Sequence, residues 1–332
     1  MELPLKSQEN YNSISIGAYS EEDYIEPLNI ELYSHMGQPV FYSSEFPTTV
    51  CEDKICEILY IKLFWDLTGN YIGYDTLSGH PLTKFDHEPF KAEDYVKLHE
   101  LLLNEGTILK FKRKDELIDK KMLKPSDVID GTTGATALEI KEEVVMGALY
   151  TSYTLWHIAH KGEIENLLNK QTKEFFTPQL AKEFMQSEID DYRIFAVEQM
   201  STEELSEDKS FLLESLENGN PLLRKSILRK IPNNLLEDKP FQLNVCELFG
   251  RMDINTKSYL LNSLKQANLV HSESMGLLLK NVSGMSKNQL SEFLEIISSK
   301  KLLNDSLKVK LLELAESDYR YAYVILDAGL LD

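Results

Sequence analysis

Between Ile58 and Trp65 the chain reads Ile-Leu-Tyr-Ile-Lys-Leu-Phe-Trp, an apolar and aromatic run that ends at Asp66-Leu-Thr-Gly-Asn. A short run of this kind, closed by turn residues, predicts a strand; Tyr71-Ile-Gly-Tyr beyond the turn predicts its hairpin partner. After Pro89-Phe-Lys-Ala-Glu-Asp the apolar positions change period: Tyr95, Leu98, Leu101 and Leu102 recur three to four apart, as on one face of a helix. A second helical stretch is predicted from Leu138 to about His160, with Val144, Val145, Ala148, Leu149 and Leu155 as its apolar contributors. Beyond about residue 173 the pattern is helical almost throughout. Polar starters recur at Asp190, Asn220, Asn255, Ser286 and Ser317, at intervals of 30, 35, 31 and 31 residues. That period lies within the roughly 20–45 residues of stacked helical repeats, so a solenoid is expected, with an irregular helical bundle as the alternative.

The change from aromatic and β-branched residues to Leu, Lys, Glu, Ser and Asn falls near residues 161–177. Three segments follow: an N-terminal extension over 1–44, an α+β domain over 45–160, and an all-α repeat domain over 161–332. The 332 residues exceed one ordinary core, which agrees with two domains. With 42% hydrophobic, 27% charged and 10% aromatic residues, the chain carries enough apolar surface to fold throughout.

Charge narrows the partners. The formal net charge of −19 repels phosphate backbones and anionic head groups, so nucleic acid is not expected. The basic cluster Lys110, Lys112, Arg113, Lys114, Lys120, Lys121 and Lys124 is interrupted by acids and apolar residues and reads as a solvated patch. No apolar run approaches eighteen residues, so no membrane span is expected and the chain reads as soluble. Met-Glu-Leu-Pro-Leu-Lys shows no export signal, although processing removes such leaders. Cys51 and Cys56 suit a small disulfide loop in an oxidising compartment and equally two free thiols in a reducing one. No second cysteine pair follows at zinc-site spacing, so no metal is expected, and Cys246 reads as a buried helical residue.

One short segment carries chemistry. Residues 130–136 read Asp-Gly-Thr-Thr-Gly-Ala-Thr and precede the second predicted helix, where unsatisfied backbone N–H groups favour a phosphate. Gly134 and Ala135 leave the Thr136 hydroxyl uncrowded, and Thr132 and Thr133 add hydroxyl donors. Asp130 positions the loop or forms an Asx turn or helix cap.

Asp130, Thr133, Gly134, Ala135 and Thr136 match the Asp-x-x-Ser/Thr-Gly-Ala-Thr signature, so the segment resembles the covalent FMN-binding domain of sodium-pumping NADH:quinone reductase subunits and related electron-transport complexes. The resemblance covers about residues 45–160 and implies a small α+β fold. It also implies FMN esterified through its phosphate to Thr136 by a separate flavin transferase that uses FAD as donor. Trp65-Asp-Leu-Thr-Gly-Asn-Tyr, Asp86-His-Glu-Pro-Phe and Tyr150-Thr-Ser-Tyr-Thr-Leu-Trp-His are similar to uncharacterised bacterial proteins with the same signature. The helical half resembles HEAT repeats. Those respiratory subunits carry a membrane anchor and lack such repeats. The expectation is therefore a stand-alone electron-transfer flavoprotein whose repeats dock a redox partner, in the periplasm or cell envelope, with the cytoplasm as the alternative.

His87, His157 and Trp156 are candidate flavin contacts, and Trp65, Tyr150 and Tyr153 candidate stacking partners, each weighed against an ordinary structural role. The rival function is a non-catalytic binding or scaffold protein whose FMN-binding-like domain holds no cofactor. A third is a flavin-dependent reductase with its own small substrate. Gly-x-Ser-x-Gly, Walker and His-Glu-x-x-His motifs are missing from the sequence, which leaves hydrolase, nucleoside-triphosphatase and metalloprotease readings without support.

Overall fold

A computed structural model describes residues 11–20, 26–50, 58–84, 87–117 and 138–331. The chain divides into two compact units, residues 1–175 and 176–332. The first is α+β and the second is all-α.

The first unit is built on a five-stranded antiparallel meander in the order β1 (Tyr11–Tyr19), β2 (Leu28–His35), β3 (Gln38–Thr48), β4 (Leu59–Trp65) and β5 (Tyr71–Thr76). The expected hairpin is β4–β5. Its turn is fixed by Asp66, whose Oδ1 accepts from Thr68 N (2.8 Å), Thr68 Oγ1 (2.8 Å) and Asn70 N (3.0 Å). Burial pushes that carboxyl up, against the pull of these same bonds. The stretch before residue 45, read from the sequence as an extension, instead supplies β1, β2 and most of β3, which pair in register through to β4. Met36 and Gly37, with φ of 49° and 80°, form a two-residue turn of the primed kind that suits sheet twist.

Among the described residues the α-helices that follow are α1 (Ala92–Leu103), α2 (Leu138–Glu143), α3 (Leu149–Ala159) and α4 (Gly162–Glu174). Asp94 starts α1 by accepting from Lys91 N at 2.8 Å, and it pairs with Lys84 Nζ at 2.7 Å. Burial favours the neutral acid, but Lys84 and the Lys91 N–H outweigh it and hold the carboxyl below its usual value. The helix expected from Leu138 to His160 is broken at Val144–Ala148. Gly147 takes φ of 83° there, with Lys84 beside it, so the chain turns before α3 begins.

The helix-covered face of the sheet is the core. Trp65 donates its indole N–H to Ala159 O at 2.8 Å. Thr172 donates to Leu67 O at 2.6 Å, so its hydroxyl accepts from Tyr42 OH at 2.7 Å. Both Tyr42 and Trp65 are fully buried. Gly69 lets the β4–β5 turn approach α4: a Cβ there would lie 3.1 Å from Glu165 Cα.

The second unit comprises α5 (Pro178–Met185), α6 (Asp190–Gln199), α7 (Thr202–Glu207), α8 (Lys209–Asn218), α9 (Pro221–Lys230), α10 (Asn233–Leu236), α11 (Lys239–Glu247), α12 (Ile254–Gln266), α13 (Ser272–Leu279), α14 (Lys287–Ser299), α15 (Asp305–Ala315) and α16 (Ala322–Asp327). Helices α6, α9, α12, α14 and α16 pack in succession as one row, with α8, α11 and α13 forming a second, a repeat-like arrangement. Polar caps start many of these helices: Asn220, Asp253, Ser286 and Asn304 each accept from backbone N–H groups of the first turn. Of the polar starters read from sequence, Asn220 and Ser286 are caps. Asp190 opens α6 and accepts Asn220 N at 2.7 Å from the next repeat; α12 is capped by Asp253 rather than Asn255; Ser317 accepts Tyr319 N in the turn before α16.

Ties from one repeat to the next recur. Lys230 at the end of α9 donates to Glu198 O (2.7 Å), and Lys300 after α14 donates to Ala267 O (2.6 Å), each satisfying a carbonyl left over at a helix C-terminus. Fully buried Gln242 joins α11 to α13. Its Oε1 accepts His271 N (2.8 Å) and Ser274 Oγ (2.7 Å), while its Nε2 donates to Leu236 O (2.9 Å) and Leu269 O (3.1 Å). Cys246 is fully buried, as expected, and burial pushes its thiol up to about 12.

Candidate functional site

Tyr153, Trp156, His157 and His160 follow the i, i+3, i+4, i+7 spacing that places side chains on one helical face, here that of α3 and its C-cap. All four donate to backbone carbonyls of one neighbouring stretch. Tyr153 OH reaches Lys112 O (3.0 Å), Trp156 Nε1 reaches Asn104 O (3.0 Å), His157 Nε2 reaches Leu109 O (3.1 Å) and His160 Nε2 reaches Leu102 O (2.7 Å). The stretch runs from the last turn of α1, where helix carbonyls lack internal partners, through a 3-10 turn at Ile108–Phe111. A row of donors on one helix therefore holds a chain segment that has few apolar anchors of its own.

This bonding fixes protonation. A carbonyl only accepts, so both histidines carry their proton on Nε2. Burial lowers the pKa of each, against the pull of its carbonyl bond. On α1, His99 Nδ1 lies 3.2 Å from Tyr71 OH, and burial lowers its pKa as well. The rings form a continuous cluster: Tyr153–His157 at 4.2 Å, Trp156–His157 at 5.0 Å, Trp156–His160 at 4.7 Å, Tyr71–His160 at 6.3 Å and Tyr71–His99 at 5.9 Å between centroids.

Of the sequence candidates, the structure brings Trp156 and His157 together. Trp156 is buried with its indole N–H committed, while His157 and Tyr153 are half-buried. Trp65 belongs to the sheet core. His87 sits elsewhere, exposed at φ of 59° in the loop between the Thr83 and Pro89 bridge residues. The loop Asp130–Thr136, with Thr132, Thr133, Gly134 and Ala135, lies outside the described residues, as do Cys51 and Cys56. His160 escaped the sequence reading, whereas His99, which the sequence places in α1 as a surface or packing residue rather than a ligand, packs against Tyr71. The spacing of Tyr153, Trp156, His157 and His160 was the available signal for His160.

The described flanks of the loop segment are tied to this same wall. On the entry side, Lys114 Nζ lies 5.9 Å over the Tyr150 ring of α3, and Leu117 is buried. On the exit side, Glu143 at the end of α2 accepts from Ile108 N at 3.1 Å and from Thr107 Oγ1. The described flanks thus contact α3 and the same 107–112 stretch that Tyr153 and His157 hold. Among the described residues no group of His, Cys, Asp and Glu could hold a metal ion, and no helix is long and apolar enough to cross a membrane. No family model matches the chain, and no curated protein or solved structure matches it.

Proposed function

We propose that this chain is an electron-transfer flavoprotein whose FMN is held covalently by a phosphoester to Thr136, with the repeat unit, read as HEAT-like, docking a redox partner. The observation that carries the reading is the Asp130-Gly-Thr-Thr-Gly-Ala-Thr136 segment, five positions of which match the covalent FMN attachment signature. Thr136 would hold the group, Gly134 and Ala135 keep its hydroxyl accessible to a flavin transferase, and Thr132 and Thr133 offer hydroxyl donors. FMN supplies the electron chemistry. The chain's own part is to present it, and the wall beside the segment's flanks supports that role. Trp156 is buried and spent on Asn104, so the half-buried Tyr153 and His157 are the rings open to stacking. A compartment outside the cytoplasm follows from the same resemblance.

Co-production with a flavin transferase tests the reading. The denatured protein should retain flavin absorbance near about 450 nm, and its intact mass should rise by roughly 438 Da, the increment of one FMN phosphoester. Thr136→Ala should abolish both. An unchanged mass would favour the rival, a cofactor-free binding protein whose repeats provide the working surface.

A further inference from the structure

The two edges of the sheet are treated differently. β5 lies against α1, with Tyr74 OH donating to Tyr95 O at 3.0 Å. β1 pairs with β2 on one side, and among the described residues no strand or helix pairs with its other side. Its sequence, Tyr-Asn-Ser-Ile-Ser-Ile-Gly-Ala-Tyr, contains neither a charged residue nor proline, the usual guards of an exposed edge. In a chain of net charge −19 most self-contacts are repulsive, and this strand is an uncharged exception.

The register shows what the edge lacks. Ile14, Leu32, Tyr42 and Trp65 are directly opposed partners on successive strands β1 to β4, one row across the helix-covered face. Trp65 and Tyr42 are 0% exposed and Leu32 5%, but Ile14 is 61% exposed, so the apolar row runs out at the sheet's edge. We propose that the outer edge of β1 pairs antiparallel with the same edge of a second copy, with the two-fold axis between the Ile14 side chains. The row then continues as Leu32, Ile14, Ile14 and Leu32 across a ten-stranded sheet, an isologous contact. Because the axis pairs each residue with its mirror position about Ile14, the bulge at Ser15–Gly17 confines regular pairing to Ser13–Ser15. The contact therefore falls below the roughly 1,200 Å² of standard interfaces, and the dimer is weak and concentration-dependent.

Sedimentation equilibrium of the full chain between about 5 and about 500 µM should show monomer passing to dimer. Ile14→Lys, with circular dichroism unchanged, should weaken the dimer at least about ten-fold. Cysteine substitution reads the register independently of that variant. At the axis, Ile14→Cys should oxidise to a covalent dimer under copper phenanthroline much faster than the unsubstituted chain with its native cysteines. Asn12→Cys should not, because its two copies stand roughly 14 Å apart at about 3.4 Å per residue, beyond disulfide reach. A chain that stays monomeric to the highest concentration overturns the proposal, and so does cross-linking at Asn12→Cys as fast as at Ile14→Cys.

Discussion

The two units solve the same problem, burying apolar surface while satisfying backbone groups, with contacts of opposite range. In the sheet unit the deciding bonds join distant parts of the chain: Trp65 to Ala159, Tyr42 to Thr172, and Thr172 to Leu67. In the repeat unit they join each repeat to the next, as in Asp190 to Asn220, Glu198 to Lys230 and Ala267 to Lys300. A unit closed by distant bonds gains or loses them together. A unit tied only to its neighbours approximates a sum of local stabilities. The molecule offers a convenient way to watch the two separately, because both tryptophans, Trp65 and Trp156, belong to the sheet unit, whereas the repeat unit dominates the helical signal.

The strongest challenge to this distinction is Trp65→Ala. It empties a fully buried site and leaves Ala159 O without its donor, at a cost of about 3–5 kcal/mol. The urea midpoint of Trp156 fluorescence should fall sharply while the later part of the far-ultraviolet circular dichroism transition stays in place. A common shift of both signals would mean that the units unfold as one.

Gln242→Ala makes the reciprocal test inside the repeats. It strips partners from His271 N, Ser274 Oγ, Leu236 O and Leu269 O, and unsatisfied buried groups of this kind should cost about 2–4 kcal/mol. In a neighbour-coupled array the loss is local, so the circular dichroism transition should broaden and acquire an early phase, with tryptophan fluorescence unmoved. A sharp, uniformly shifted transition would show the array to be as cooperative as the sheet.

The contrast in range also explains what the sequence reveals. Repeat starts are legible because their devices are local: Asn220 followed by Pro221, or Ser286 three residues before Gln289. The β4–β5 hairpin and α1 are legible for the same reason, each carrying a turn or a period within a few residues. Strands β1 to β3 are hidden because Ser, Glu and Asn occupy much of them and their turn, Met36-Gly37, lacks the usual Asn-Gly or Asp-Gly sign. The break at Gly147 was hidden behind apolar residues on both sides at helical spacing. At the candidate site, Tyr153, Trp156 and His157 stood out as residue types, but their partners are backbone carbonyls, which leave no trace in the sequence. The attachment segment is the opposite case, readable as a motif and outside the described residues.

A smaller perturbation probes the close approach that closes the sheet unit. At Gly69, φ is 86° and a Cβ would meet the Glu165 backbone at 3.1 Å. Gly69→Ala should cost about 1–2 kcal/mol from the left-handed conformation alone, with a further loss if α4 must shift. The fluorescence midpoint should fall, and Gly37→Ala, at positive φ but with open space around its Cβ, should fall less. Equal losses would show that the contact between the turn and α4 contributes nothing beyond backbone strain.

The smallest expected effect comes from protons in the sheet unit. Burial holds His99, His157 and His160 below the usual histidine value in the folded sheet unit. The unfolded chain, titrating near about 6.5, therefore binds protons first as the pH falls. Their contribution is complete above that value and is lost progressively below it. Asp94, held low by Lys84, acts in a later window: its contribution persists until the pH drops below the ordinary carboxylate range. The fluorescence midpoint should thus decline in two stages, first between about pH 7 and 5 and again below about pH 4. His160→Gln keeps a donor for Leu102 O but no titrating ring, so it should flatten the first stage and spare the second. The effect is modest because all three rings are half-buried and partly screened by solvent. If His160→Gln leaves the first stage unchanged, the histidine wall is a passive strut, and the acid sensitivity of the sheet unit lies in other groups.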